Sequence, residues 1–259
     1  MSEQSIGIFD SGVGGTSIWK EIHKLLPAEN TIYLADSINA PYGHKSKEEI
    51  ISLCKKNTEF LLKKGCKLIV VACNTATTNA IKILRENYNV PFIGIEPAIK
   101  PAALKSIHKA IGILATKGTL SSELFQKTSS IYTNGQRVIE QVGDGLVELI
   151  EAGKINSEET KALLKEYLQP MINANIDYLV LGCSHYPYLI PLLIEILPKH
   201  VKIIDSGEAV ARQTKAVLEK YNLLNIQNTY SKNMFYTNSN PEIMALLLDN
   251  NYTVEYLDF

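Results

Sequence analysis

KLIVVACNTATTNA, residues 67–80, carries the reading of the fold. After Lys67, LIVVA (68–72) makes a continuous apolar run with the length of a strand buried on both faces. The run stops at a cysteine, an amide and a hydroxyl, Cys73-Asn74-Thr75. Similar runs recur along the chain: SIGIFD (5–10), TIYLAD (31–36), PFIGI (91–95), AIGILA (110–115), DYLVLG (177–182) and KIIDS (202–206). Longer segments with apolar residues at helical spacing separate them. One is KSKEEIISLCKKNTEFLLKKG, which ends at Gly65, a residue suited to close a helix. Strands alternating with helices predict βαβ units and parallel sheets.

The opening stretch has a partner. VVACNT (70–75) resembles VLGCSH (180–185), IGIFDSGVGG (6–15) resembles IGILATKGT (111–119), and VPFIGIEPA (90–98) echoes VKIIDSGEA (201–209). The offsets are 110, 105 and 111 residues, in the same order along the chain. The pattern predicts an α/β protein of two similar open parallel-sheet α/β domains related by an internal repeat, with the active site in the cleft between them. The first domain is expected to hold residues 1–97 plus 208–259 and the second 98–207. After the second repeat come a helical pattern (EAVARQTKAVLEKY), a short strand (NMFYTNS) and a last helix opened by Asn240-Pro241, and this tail is expected to return to the first domain.

Composition narrows the class. The 259 residues are 46% hydrophobic and 20% charged, as in ordinary globular proteins, which excludes disordered and fibrous classes. The net charge of -1, with no Lys/Arg cluster, argues against nucleic-acid binding. No run approaches the roughly 20 apolar residues of a membrane helix. The start, MSEQSIGIFD, lacks the pattern of a signal peptide, so a cytoplasmic location is expected. The four cysteines, Cys54, Cys66, Cys73 and Cys183, are then expected to stay reduced.

Cys54 lies within a helical pattern and Cys66 just beyond it, and both read as core filling. Cys73 and Cys183 differ, because they sit at matching places in the repeat. Each stands at the carboxyl end of a strand, where open parallel sheets bind ligands. Two thiols facing each other across a cleft suit the exchange of a proton between the two faces of a stereocentre. A cysteine of ordinary pKa, about 8.5, is a few per cent ionised at neutral pH, and holding it as thiolate costs about 2 kcal/mol. Asp10 and His185 are candidate partners for the two thiol protons.

DSGVGGTS (10–17) does not fit G-x-G-x-x-G, because Ser17 stands where the last glycine belongs. Its glycines are read as letting backbone N–H groups approach a small anionic ligand; Ser11 as a simple N-cap is the plainer alternative. Two other chemistries remain open at this point. One is a cysteine hydrolase using Cys183, His185 and Asp10, which leaves Cys73 unexplained. The other is a metal-binding or ligand-sensing module using Cys73, Cys183 and His185.

FDSGVGG (9–15), YLADSINAPYGHKS (33–46), VVACNTAT (70–77) and LVLGCSHYP (179–187) resemble, in order and spacing, the signatures of cofactor-independent glutamate racemases. The resemblance runs through nearly the whole chain. It implies interconversion of L- and D-glutamate without pyridoxal phosphate or metal, supplying D-glutamate for peptidoglycan, in a homodimer. It implies that Cys73 deprotonates D-glutamate with help from Asp10, and that Cys183 deprotonates L-glutamate with help from His185. It also matches Glu151 to an additional cleft carboxylate, against the plainer reading of an exposed helical glutamate. Substrate contacts carry over to Ser11, Pro41, Tyr42, Gly43, Asn74, Thr75, Thr116, Thr119 and Ser184. Racemisation of aspartate or another acidic compound is the nearest alternative. Two departures stand out: Ser184 in place of the usual threonine, and VGDGLVEL (142–149) where many members carry Ala-Cys-Pro before the same helix.

Overall fold

The computed structural model describes residues 2–226 and 231–259. Met1 and residues 227–230, within the segments expected to form the first domain, lie outside the described residues. The strands are β1 (Ile6–Asp10), β2 (Thr31–Ala35), β3 (Leu68–Val71), β4 (Phe92–Gly94), β5 (Ala110–Ala115), β6 (Arg137–Val142), β7 (Tyr178–Gly182), β8 (Lys202–Ile204), β9 (Asn233–Thr237) and β10 (Val254–Tyr256). The helices are α1 (Thr16–Leu25), α2 (Lys47–Lys63), α3 (Asn74–Asn87), α4 (Ile99–Lys105), α5 (Lys117–Leu120), α6 (Glu123–Tyr132), α7 (Leu146–Glu151), α8 (Glu158–Asn173), α9 (Ile190–Ile196), α10 (Gly207–Lys220) and α11 (Pro241–Leu247).

The strands form two sheets, ordered β10-β9-β2-β1-β3-β4 and β6-β5-β7-β8, and every neighbouring pair is parallel. The run β2-β1-β3-β4 of the first sheet has the same order as the whole second sheet, so the three sequence matches fall on β1/β5, β3/β7 and β4/β8. The chain departs from β1 toward β2 and later returns on its other side to β3. That reversal leaves a crevice beyond the carboxyl ends of β1 and β3, and the second sheet leaves one beyond β5 and β7. Asp10 and Cys73 stand at the first, Thr116 and Cys183 at the second.

Local chemistry sets the helices that frame these crevices. Ser46 and Glu49 make a reciprocal capping box that starts α2, and Gly65 adopts φ 78° just past its end, as its position in the sequence predicts. On α1, Ile18, Trp19 and Ile22 are buried. The Trp19 indole N–H donates to Thr31 Oγ1 at 2.9 Å, and its ring packs edge-on against Phe235 and Tyr252. These contacts join the C-terminal strands to the first sheet beside β2.

At the amino end of β3, Lys67 and Glu29 form a buried ion pair at 2.6 Å, each side chain only 1% exposed. Such a pair needs its remaining sites satisfied to be tolerated. Lys67 Nζ also donates to the Ser2 and Leu223 carbonyls, and Glu29 Oε1 accepts from the Asn225 N–H. Three separated segments are thereby tied to β3.

Two strands were not anticipated. β6, RVIEQV, has no fully buried residue because it is the edge of its sheet, so it lacks the apolar run that marks its counterpart β2, all of whose residues are buried. β10 is three residues long with two of them exposed. The tail therefore ends in a strand after α11, not in a helix.

Candidate active site

Cys73 leaves β3 as the N-cap of α3, with its sulfur accepting from the Ala76 N–H at 3.4 Å. Its thiol donates to Ser11 Oγ at 3.5 Å. Burial pushes this thiol well above the ordinary range and the Asp10 charge adds to it, against the opposing hydrogen bonds from Ala76 and Ser11. In the free protein Cys73 is therefore a protonated acid. Cys183 leaves β7 at the equivalent place, and its sulfur lies 3.8 Å from His185 Nδ1.

Both sulfurs line one cavity of about 10 Å3. Ser11, Pro41, Tyr42, Gly43, Asn74, Thr75, Thr116, Ser184 and His185 complete its wall, together with Val147, which the sequence did not single out. Asp10, Glu151 and Thr119 stand behind that wall. Thr119 is fully buried, and its hydroxyl joins a cluster with Thr75 and Thr116, with contacts of 2.8–3.3 Å.

A layer of hydrogen bonds orients the histidine. Glu151 Oε1 lies 2.6 Å from His185 Nε2 and accepts from the Val13 N–H at 2.7 Å, while Oε2 accepts from Ser37 Oγ at 2.8 Å. Burial alone would lower the His185 pKa, but hydrogen bonding to Cys183 and Glu151, with the charges of both, outweighs it and raises it well above the usual value. Glu151 and Cys183, on either side of the imidazole, thus favour its cationic form. Asp10 Oδ2 accepts from the Gly15 N–H at 2.8 Å and lies 4.0 Å from His185 Nδ1, and Oδ1 accepts from Ser184 Oγ at 3.1 Å. Its pKa is raised, chiefly by complete burial.

The remaining wall is held for contact with a ligand. Both polar atoms of the Asn74 amide are buried without a partner among the described residues. An unpaired buried amide costs free energy that a bound polar group would recover. Tyr42 is pinned from behind: its hydroxyl donates to Asp36 Oδ2 at 2.5 Å, and Asp36 Oδ1 accepts from Asn39 and from Asn238 of the C-terminal segment. The Pro41-Tyr42-Gly43 turn, entered through a cis Ala40–Pro41 peptide, thus rests on a buried polar network.

The family model described as Asp/Glu/Hydantoin racemase matches residues 6–214. The chain belongs to that family. A glutamate racemase of Herpetosiphon aurantiacus is 44% identical over 245 residues, covering 95% of this chain and 96% of that protein. A crystal structure of a glutamate racemase isoform from Bacillus anthracis superposes with a TM-score of 0.89 at 30% identity, covering 100% of this chain and 98% of that one. The Escherichia coli glutamate racemase, solved with L-glutamate and the activator UDP-MurNAc-ala, superposes with a TM-score of 0.87 at 32% identity over 98% of each chain.

In this member of the Asp/Glu/hydantoin racemase family several site residues sit differently from the sequence reading. The glycines of DSGVGG admit protein groups, not a ligand. A Cβ on Gly12 would lie 1.8 Å from Glu151 Oε1, and one on Gly14 would lie 2.2 Å from His185 Nδ1. The carboxylate taken at the turn before α1 is that of Glu151. Ser11 is no helix cap, since Gly15 occupies that place in α1. Glu151, with its side chain 16% exposed, is not an exposed helical glutamate. Among the described residues no hydrogen bond joins Asp10 to Cys73; the group bonded to that thiol is Ser11. The Ser184 hydroxyl donates to Asp10, leaving its oxygen lone pairs for the N–H groups of a ligand.

The Gly143-Asp144-Gly145 departure also finds a structural use. A Cβ on Gly143 would lie 2.3 Å from the hydroxyl of buried Tyr186, which donates to the Gly143 carbonyl at 3.0 Å. Ser37, which fixes Glu151, lies within YLADSINAPYGHKS, but its partner is 114 residues away and no local pattern announces the pair.

Proposed function

We propose that this chain is a glutamate racemase working by two opposed cysteines, and that it supplies D-glutamate for peptidoglycan. The observation that carries the reading is the shared cavity: one thiol from each repeat, both buried, with an acceptor or donor beside each. Cys183 as thiolate takes the Cα proton of L-glutamate, and the electron pair left behind delocalises into the α-carboxyl group. The Cys73 thiol delivers its proton to the opposite face and becomes the thiolate. D-Glutamate runs the same steps in reverse, so each sulfur serves as base in one direction and acid in the other.

His185, protonated and fixed by Glu151, is the donor a Cys183 thiolate requires. Asp10 acts through Ser184 and His185 as a positioning residue, and its charge bears on Cys73. Ser11, the Pro41-Tyr42-Gly43 turn, Asn74, Thr75, Thr116 and Ser184 supply the hydroxyl, amide and backbone groups that take the two carboxylates and the ammonium, with Thr119 ordering Thr75 and Thr116 from behind. No step calls for a cofactor or a metal. The two bodies that close on the substrate are residues 1–97 plus 208–259 and residues 98–207, a division supported by the C-terminal strands pairing within the first sheet. The assembly is a homodimer in the cytoplasm, read from the resemblance; among the described residues no helix is long and apolar enough to cross a membrane.

A hydrolase built on Cys183 and His185 would find an acid in Glu151, yet it gives the second buried thiol of the same cavity nothing to do. Chiral analysis of L-glutamate and, separately, L-aspartate incubated with protein dialysed against chelator tests the reading. Racemisation of glutamate well ahead of aspartate is expected. Turnover of aspartate alone would move the substrate, and turnover of neither would remove the proposal.

A further inference from the structure

The cavity beside the cysteines, about 10 Å3, has room for roughly one water molecule. Glutamate cannot enter without separation of some contact between the two repeats. Nearly all of those hydrogen bonds among the described residues are buried or part-buried. Where α1 meets the segment after β7, Thr16 Oγ1 lies 2.5 Å from the Tyr188 hydroxyl and Ser17 Oγ donates to the Ser184 carbonyl at 2.8 Å. On the side of α3 and α5, the Thr75–Thr116 contact at 2.8 Å is part-buried.

One crossing differs. A second small cavity, also about 10 Å3, shares Pro41, Gly43, Thr116 and Val147 with the first and runs outward to His44, Asp144 and Glu148. There His44 Nε2 lies 2.9 Å from Asp144 Oδ1, and Nδ1 lies 4.0 Å from Glu148 Oε1. The three side chains are 52%, 66% and 46% exposed. His44 comes from the turn that carries Tyr42 and Gly43, whereas Asp144 comes from the loop before α7 and Glu148 from its first turn. Exposed bridges of this kind are among the weakest polar contacts a protein makes, so this one parts most easily.

We infer that the passage under His44 is the substrate's route to the cysteines and that the His44–Asp144 bridge, with Glu148 beside it, is its latch. The inference deepens the proposed function and rests on that reading for the identity of the substrate. It also gives Asp144, which lies in the segment that departs from the family pattern, a part in this chain: it holds the cleft shut from the second repeat while His44 holds it from the first.

The test does not need glutamate. The full-length protein is treated with iodoacetamide, an uncharged thiol reagent, and labelling of each cysteine is followed by peptide mass spectrometry in wild type and in His44→Ala, Asp144→Asn and His44→Lys. Loss of an exposed bridge worth about 0.2–1 kcal/mol corresponds to roughly a 1.5- to 5-fold change. His44→Ala and Asp144→Asn should therefore speed labelling of Cys73 and Cys183 by about that factor. His44→Lys, which places a cation facing both carboxylates, should label no faster than wild type. Cys54 and Cys66, buried elsewhere, should label at unchanged rates in all variants. Unchanged labelling of Cys73 and Cys183 in the first two variants would overturn the latch, as would His44→Lys labelling as fast as His44→Ala. Faster labelling of all four cysteines would overturn it too, because that marks general loosening. Absence of glutamate turnover would sink the proposed function and leave the labelling result standing by itself.

Discussion

Cys73→Ala and Cys183→Ala are each expected to lower kcat for L-glutamate and for D-glutamate by about 10³- to 10⁴-fold, the scale of a lost general acid or base. Both directions fail together in each variant, because the sulfur that is the base for one enantiomer is the acid for the other. The fold should persist, since removing one buried sulfur forgoes packing worth about 1 kcal/mol, a small part of a domain's stability. Cys54→Ala and Cys66→Ala supply the comparison. Both thiols are raised by burial, Cys66 to about 12, and Cys66 lies against Gly7, where a Cβ would come within 3.1 Å of its sulfur. These two variants should keep wild-type kcat and lose only stability. Steady-state kinetics in both directions, with circular dichroism to confirm folding, reads the outcome. Turnover near wild type in either of the first pair would end the two-thiol assignment.

Gly14→Ala is expected to lower kcat by about 10²- to 10³-fold although Gly14 has no chemistry of its own. The added Cβ would stand 2.2 Å from His185 Nδ1 and 2.4 Å from its Cγ, so the ring must move. It has nowhere to go: His185 is 1% exposed and held at 2.6 Å by Glu151. Displacing it removes the proton partner of Cys183, a contribution of the general acid–base kind. Gly65→Ala separates this from a general intolerance of substitution. Gly65 has φ 78° and its new Cβ would meet nothing closer than 3.9 Å, so the substitution should cost about 1–2 kcal/mol of stability and leave kcat alone. A Gly14→Ala protein with wild-type kcat would show that His185 does not act from the position described.

The contrast between those glycines shows where the sequence was readable. Gly65 is a local matter, a helix end followed by a left-handed residue, and the helical pattern before it was enough to place it. Gly12 and Gly14 are small because Glu151 and His185 arrive from the other repeat, at separations no local pattern encodes, so from the sequence alone the loop reads as a ligand site. The same division holds for the strands. β1, β3, β5 and β7 are buried throughout and carry continuous apolar runs, so they and the repeat they form were legible. β6 forms the edge of its sheet and its sequence is mixed. The cysteines were found because repetition placed them in equivalent positions, whereas Ser37, Val147 and the His44–Asp144 bridge became visible only with the chain folded.

The central claim, two bases on opposite faces, is tested most directly by isotope. With L-glutamate in deuterated water, D-glutamate formed early should carry deuterium at Cα, while the remaining L-glutamate stays largely unlabelled. Cys183 removes the protium from one face and Cys73, already exchanged with solvent, delivers deuterium to the other. A single shared base could return the proton it removed to either face and carry protium into the product. Mass spectrometry of the separated enantiomers during the first few per cent of conversion distinguishes the two. Deuterium in nearly all of the early D-glutamate is the predicted result; early D-glutamate that keeps most of its original protium would contradict the two-base mechanism even if both cysteines proved essential.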